Sequence, residues 1–222
     1  MSLIPAYHFQ LKGPGERMPI VHALLSALVN AVLLVVIPFA GYFMFHRSRH
    51  KRSFQEIAER AGLQRGEPIY LLYGAGISLC VVLALLFLTP DLEALTRKGS
   101  AQHEFVGVGI GLQGILLALI YSVLKTGFCE EFLFRGLIAG SLARRMGLLW
   151  GNLLQAVIFT APHLLVLTIM PELKAMIAMI FPFALLSGWL RIRSGSILAP
   201  WLMHAAANAT TCLIVAANTS SA

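Results

Sequence analysis

The chain has 222 residues, of which 58% are apolar and only 12% carry a formal charge, whereas soluble globular domains average roughly 45–50% and about 25%. Together with a mean hydropathy of +0.78, this composition excludes an ordinary soluble enzyme, a disordered chain and a disulfide-rich secreted module. It predicts an all-α fold, a polytopic transmembrane helical bundle. We expect one membrane domain over residues 1–222, because a bundle of this size buries its polar groups in a single unit.

Several stretches without Lys, Arg, Asp or Glu are long enough to cross a bilayer, which takes roughly 20 apolar residues. The candidate spans are residues 20–45, 68–89, 105–124, 146–171, the shorter run 175–190, and the uncharged stretch from Ser196 to the C-terminus. The first is too long for the apolar region of a signal peptide, so we interpret it as an uncleaved span. The sequence thus predicts about six to eight membrane helices around an intramembrane polar site.

The basic residues lie between the apolar runs, although the net charge of +7 is also compatible with nucleic acid binding. Their placement is typical of juxtamembrane topology markers, so we expect the lipid bilayer as a partner and no nucleic acid. The positive-inside rule makes the loop after the first span cytoplasmic, and the third span then returns near Lys125. The basic residues of that loop are Arg47, Arg49, Lys51 and Arg52. A short or partly embedded helix over residues 128–143 keeps the later arginines on the same side, namely Arg144, Arg145, Arg191 and Arg193.

The segment 53–65, between the first two spans, carries apolar residues at helical spacing among charged ones. This pattern favours an interfacial amphipathic helix over a plain soluble connector. The apolar positions are Phe54, Ile57, Ala58, Ala61 and Leu63.

Glu130, Glu131 and Arg135 place three charges within six positions of an apolar segment. Each charge at membrane depth costs on the order of 3 kcal/mol, so such residues indicate a function. On a helix, Glu131 and Arg135 are four residues apart and can form an ion pair, whereas Glu130 is rotated by roughly 100° and faces elsewhere. The alternative interpretation is that these three side chains pair with one another and with neighbouring helices, and that they only stabilise helix packing.

Two histidines, His163 and His204, lie in later apolar runs without a charged neighbour along the chain. Asn208 follows His204 by four residues, so their side chains share one helix face and can present donors to one point. Pro162 directly precedes His163 and predicts a kink or loosening of that helix. A single histidine in a membrane helix more often forms a hydrogen bond to a neighbouring helix. Two histidines, an amide and a carboxylate together favour a catalytic site.

The motifs EEFLFR (residues 130–135), FTAPH (159–163) and HAAAN (204–208) resemble, in order and spacing, the EExxxR, FxxxH and HxxxN motifs of the CPBP family. That family contains type II CAAX prenyl proteases related to Rce1, Abi-type proteins, and bacteriocin-processing or immunity-related membrane proteins. Each motif is weak alone, but the ordered trio in apolar helices is specific. The resemblance implies a catalytic core over residues 128–216, preceded by N-terminal helices and the amphipathic connector over residues 1–104.

The resemblance implies an intramembrane glutamic-type endopeptidase that hydrolyses a peptide bond of a membrane-associated protein or peptide with water. Glu130 would be the catalytic glutamate, and His163 its partner in activating the water. The stabilisers of the developing oxyanion would be His204 and Asn208. No cofactor is implied, and the expected location is the cytoplasmic membrane of a prokaryote. The supporting residues would be Glu131, Arg135 and Phe159.

Two other hydrolytic mechanisms use residues of the same set. The two glutamates and two histidines offer oxygen and nitrogen ligands to zinc, but no HExxH spacing occurs and Arg135 competes for Glu131, so we prefer the metal-free mechanism. Cys129 suggests a thiol protease with His163 as base, but Cys129 and Glu130 are adjacent and do not share a helix face.

Functions of other classes are also open. A non-catalytic membrane scaffold or a bacteriocin-immunity protein would retain the polar cluster as a link between helices. A proton-coupled transporter with Glu130 and the histidines as a relay is disfavoured, because the chain contains no internal repeat. The three cysteines are far apart without a CxxC pair and imply neither a disulfide framework nor a zinc site.

Overall fold

The computed structural model describes residues 20–88 and 91–220, so parts of the predicted 1–222 domain, residues 1–19 above all, lie outside the described residues. The described part is helical and contains no strand. We number the helices in chain order: α1 Ile20–His50, α2 Phe54–Arg60, α3 Pro68–Phe87, α4 Leu92–Thr96, α5 residues 112–146, α6 residues 148–166, α7 Lys174–Ser194 and α8 Leu198–Thr219. Short 3₁₀ turns lie at His103–Phe105 and Pro171–Leu173.

Six of these helices are long enough to cross a membrane. Hydropathy and length mark five continuous apolar stretches, one of which, Leu112–Val166, has 55 residues. Since about 20 helical residues span the hydrocarbon core, this stretch is too long for one crossing. Gly147 breaks it with φ 78° and ψ 177°, a conformation open mainly to glycine. The break separates α5 from α6, and the predicted polytopic helical bundle is confirmed.

The long helix α5 corrects the predicted course of the chain around Lys125. Instead of a span that ends there and a separate short helix over 128–143, one helix runs from Leu112 to residue 146. Lys125 lies inside it, almost buried, with its Nζ 3.9 Å from a Glu104 carboxylate oxygen. Its backbone carbonyl accepts a hydrogen bond of 3.1 Å from Asn30 Nδ2. A charge with such partners is tolerated within a bundle, so the prediction of a boundary at Lys125 was wrong.

The arginines that close the long helices lie at one end of the bundle. Arg144 Nη1 and Arg191 Nη2 both donate to the carbonyl oxygen of Arg60, over 3.2 and 2.9 Å. Arg52, in the loop after α1, lies 3.0 Å from His46 at the same end. The basic loop and the ends of α5 and α7 are thus on one side, as the charge pattern predicts. Which compartment this side faces stays a prediction.

The predicted amphipathic helix between the first two spans is α2. Ser53 caps it, with its hydroxyl accepting from the Glu56 N–H while the Glu56 side chain accepts from the Ser53 N–H. These hydrogen bonds hold the pKa of Glu56 below its usual range. Ile57 and Ala61 are fully buried against the bundle, whereas Phe54 is 63% exposed. Only part of the apolar face of α2 therefore packs against the protein interior, and Phe54 lies at the surface.

Small residues let the central helices approach one another closely, as in many membrane bundles. A Cβ atom on Gly74 of α3 would lie 2.8 Å from the Ala199 Cβ of α8. A Cβ atom on Gly188 of α7 would lie 2.0 Å from Asn152 Oδ1 of α6. Helix α8 also packs along α5, where Trp201 Nε1 donates to the Val123 carbonyl over 2.8 Å. These contacts fix α3 and α5 relative to α8, and α6 relative to α7.

Candidate active site

The two glutamates lie in an unusual part of α5. The single α-helical turn Cys129–Glu131 is enclosed by two wider π-helical segments, Ile120–Phe128 and Phe132–Ala139. Runs of π-helix are rare and often mark functional sites, because the i→i+5 bonding re-aims side chains. Glu130, Glu131 and Arg135 are completely buried here. The residue spacing predicts a regular α-helix here, so this local geometry is a finding of the structure alone.

Arg135 is neutralised by Glu131 and covered by Phe159. Its Nη1 atom lies 3.1 Å from Glu131 Oε1, which confirms the ion pair predicted from the i, i+4 spacing. The guanidinium carbon lies 4.0 Å from the centre of the Phe159 ring, a cation–π contact that is strongest where water is excluded. The phenylalanine of the FTAPH motif therefore supports the arginine of the EEFLFR motif across the interface between α5 and α6.

His204 of α8 lies between the two carboxyl groups. Its Nδ1 atom is 2.8 Å from Glu131 Oε1, and because a carboxylate only accepts, Nδ1 carries the hydrogen. The opposite ring nitrogen, Nε2, lies 3.9 Å from Glu130 Oε2. Glu131 thus fixes the orientation of the imidazole and turns Nε2 toward Glu130. The arrangement resembles that of a Ser-His-Asp triad, in which a buried carboxylate accepts from Nδ1 and orients the histidine ring.

His163 of α6 is held by its own helix. Its Nδ1 atom lies 2.8 Å from the Phe159 carbonyl oxygen, which only accepts, so a neutral His163 presents its lone pair at Nε2. The His163 and His204 rings both lie against the Phe159 ring, with centroid distances of 4.9 and 6.4 Å. Pro162 lies inside α6, and the non-helical dihedral angles of this stretch occur at Gly147, so the predicted kink or loosening at Pro162 stays a prediction.

Asn208 lies one turn beyond His204 on the same face of α8. Its Nδ2 atom donates to the hydroxyl oxygen of Thr126 over 2.9 Å, and that hydroxyl donates to the Tyr121 carbonyl over 3.0 Å. Since an amide nitrogen carries two hydrogens, Asn208 keeps a second donor. Thr126 was not among the predicted site residues. Its only sequence signal is a polar residue four positions before Glu130 in an apolar run.

The structure brings the predicted residues together from three helices. A continuous chain of contacts joins the glutamates, the arginine, the phenylalanine and both histidines, and Asn208 adjoins it through α8 and Thr126. All of these side chains are at least nine-tenths buried. The set comprises Glu130, Glu131, Arg135, Phe159, His163, His204 and Asn208.

The structure also bears on the two alternative mechanisms, the thiol protease and the zinc protease. The Cys129 thiol is buried and donates to the Leu124 carbonyl over 3.2 Å, a bond within its own helix. Within the described ranges, no three His, Cys, Asp or Glu side chains are grouped so that they could hold a metal ion. A metal-free mechanism stays a prediction, which the effect of chelators on activity can test.

Residues 112–210 match the family model of the type II CAAX prenyl endopeptidases, described as Rce1-like. The matched segment runs from the first residue of α5 into α8 and contains all three motifs. The resemblance predicted from these motifs is therefore confirmed for this segment, which covers somewhat less than half of the chain. A search of curated proteins found no match, and a search of solved structures found none either.

Proposed function

We propose that this chain, Rce1-like over residues 112–210, is an intramembrane endopeptidase that hydrolyses a peptide bond of a membrane-associated protein or peptide. The observation that carries the proposal is the position of His204, with Nδ1 on Glu131 and Nε2 facing Glu130. The Glu131 carboxylate contacts Arg135 and His204 and supports both side chains. The Glu130 carboxylate faces His204, with 3.9 Å between Oε2 and Nε2.

The space between Glu130 Oε2 and His204 Nε2 can hold the water molecule that attacks the substrate in a glutamic-type mechanism. A single water molecule can lie at hydrogen-bond distance, about 2.8 Å, from both atoms that border it. Glu130 accepts a proton from this water with the help of His163, and the resulting hydroxide attacks the carbonyl carbon of the substrate. The tetrahedral intermediate then collapses, the C–N bond breaks, and the proton passes from Glu130 to the leaving amine.

The developing oxyanion needs donors about 3 Å away. His204, in its protonated form, and the second N–H of Asn208 lie one helical turn apart on the face of α8 that adjoins the glutamates. Their support is rigid, since Glu131 holds the imidazole and Thr126 holds the amide. In comparable sites the removal of one such donor lowers kcat about 10²–10³-fold.

Removing the base tests the proposal. The full chain is reconstituted in vesicles with a fluorogenic peptide that carries a prenylated cysteine, the substrate class of the matched family. We expect Glu130→Gln to lower the cleavage rate about 10²–10⁴-fold while the protein stays folded and inserted. Glu93→Gln is the matched control, because Glu93 is exposed on the short helix α4 and lies outside the buried cluster.

A second readout needs no assumption about the substrate. The membrane proteomes of cells with the wild-type chain and with Glu130→Gln are compared for proteins whose mature termini shift. A non-catalytic scaffold or immunity protein would tolerate this near-isosteric change, and no terminus would move. That result, or a Glu130→Gln variant that cleaves as fast as Glu93→Gln, contradicts the protease. Loss of cleavage under strong chelation, with recovery on added zinc, would favour the zinc-dependent version.

A further inference from the structure

A cavity of about 400 Å³ lies at the basic end of the bundle, away from the buried glutamates. Four arginines from four different elements line it: Arg52 after α1, Arg60 at the end of α2, Arg144 near the end of α5 and Arg191 near the end of α7. Arg144 and Arg191 share one acceptor, the Arg60 carbonyl, so their guanidinium groups are direct neighbours. Like charges this close repel one another unless an anion lies between them.

The described residues do not supply that anion. None of the four arginines has a carboxylate within ion-pair distance among the residues of known position. Glu56 and Glu59 also border the cavity, but each is engaged on its own helix. Glu56 Oε2 accepts from Ser53, and Glu59 Oε1 accepts from Gln55. Four arginines against two glutamates leave the cavity lining with an excess of two positive charges.

Two of the guanidinium groups also have unused donors. Arg191 is only 4% exposed, and its Nε atom, like that of Arg60, is buried without a hydrogen-bond partner. Arg191 is held in place, because a Cβ atom on Gly62 would lie 2.6 Å from its Nε. The left-handed φ of 84° at Gly62 brings the backbone this close. A buried guanidinium that is fixed in place, with no carboxylate partner and no acceptor for its Nε, is costly without a ligand.

We propose that this cavity binds a phosphate group, held by Arg60, Arg144 and Arg191 and approached by Arg52. A tetrahedral oxyanion offers acceptors in several directions at once and suits guanidinium groups that converge from separate elements, whereas a carboxylate has only two oxygens. The phosphate is either free in solution or part of an anionic phospholipid headgroup. The bound group links α2 to the ends of α5 and α7, and so it stabilises the helix that carries Glu130.

Thermal unfolding of the full chain tests the site. The protein is purified in a maltoside detergent without lipid, and its Tm is measured against increasing inorganic phosphate or short-chain phosphatidylglycerol, with phosphatidylcholine as the zwitterionic control. We expect phosphate or phosphatidylglycerol to raise the Tm in a saturable manner. Arg144→Gln should weaken the apparent affinity about tenfold or more, because one charge-assisted hydrogen bond is lost.

Arg145→Gln is the matched control, since Arg145 is the exposed neighbour of Arg144 on α5 and does not line the cavity. A response to inorganic phosphate identifies a soluble anion, and a response to phosphatidylglycerol alone identifies a lipid headgroup; both support the site. No saturable response, or equal weakening by Arg144→Gln and Arg145→Gln, overturns it. If Arg144→Gln does not fold, Arg52→Gln replaces it, and the same comparison applies.

Discussion

Removal of the buried Arg135 side chain provides the sharpest test of how the polar cluster is held together. Arg135 is completely buried, 3.1 Å from Glu131 and 4.0 Å above the Phe159 ring. In Arg135→Leu, the Glu131 carboxylate stays buried with His204 as its remaining hydrogen-bonding partner. Breaking a buried ion pair by the loss of one member costs about 3–5 kcal/mol. We therefore expect a loss of stability of that size.

A different outcome is expected when the Glu131 carboxylate is already absent. In a Glu131→Gln background, the Arg135 guanidinium has lost its ion-pair partner, so Arg135→Leu removes a buried charge that no ion pair holds. The second substitution should then cost far less or even stabilise the protein, which corresponds to a coupling energy of about 2–3 kcal/mol. Arg135→Lys is the conservative control: it keeps the charge but loses the planar stacking on Phe159, and an intermediate stability is expected.

The assay is reversible unfolding in mixed micelles, followed by circular dichroism, for the wild type, both single variants and the double variant. A difference of 3 kcal/mol corresponds to more than a hundredfold change in the unfolding equilibrium, well above the error of such measurements. A cost below about 1 kcal/mol for Arg135→Leu, or the same cost in both backgrounds, would refute the view that Glu131 and Arg135 form an energetically coupled pair.

Two further substitutions test packing and the support of Asn208. Gly188→Ala should destabilise the bundle by about 1–3 kcal/mol, because the new Cβ atom would lie 2.0 Å from Asn152 Oδ1; thermal unfolding measures this, and an unchanged Tm would contradict it. Thr126→Val should cost about 1–3 kcal/mol, since the Asn208 amide loses its acceptor, and should slow peptide cleavage. Thr126→Ser keeps the hydroxyl and serves as control; equal behaviour of the two Thr126 variants would show that this hydrogen bond does not matter.

Much of the fold and of the site follows from residue types and their spacing. The excess of apolar residues requires a membrane bundle, since water cannot solvate such a chain. The ion pair between Glu131 and Arg135 follows from helical periodicity alone, because residues four apart share a face. The common side of Arg144 and Arg191 follows from where charges interrupt apolar runs. These are local properties, or properties of composition, and they can therefore be predicted from the sequence.

The course of α5 did not follow from the sequence. Lys125 looks like the end of a span, and only the packing of α1 and the loop that carries Glu104 makes a lysine tolerable inside the bundle. The helix break lies at Gly147, whose backbone adopts a left-handed φ. The chain continues as a helix through Pro162, because a proline that has lost one hydrogen bond can continue a helix held by neighbours.

The sequence by itself determined which residues are available for chemistry: two glutamates, an arginine, two histidines and an amide, on helices separated by up to 78 positions. Only the tertiary structure decided which of these residues contact one another. His204 comes from the last helix to bridge Glu130 and Glu131, and Thr126 takes up one donor of Asn208. The reason is physical: periodicity fixes the face on which a side chain lies, whereas the partner across an interface depends on how helices distant in sequence pack.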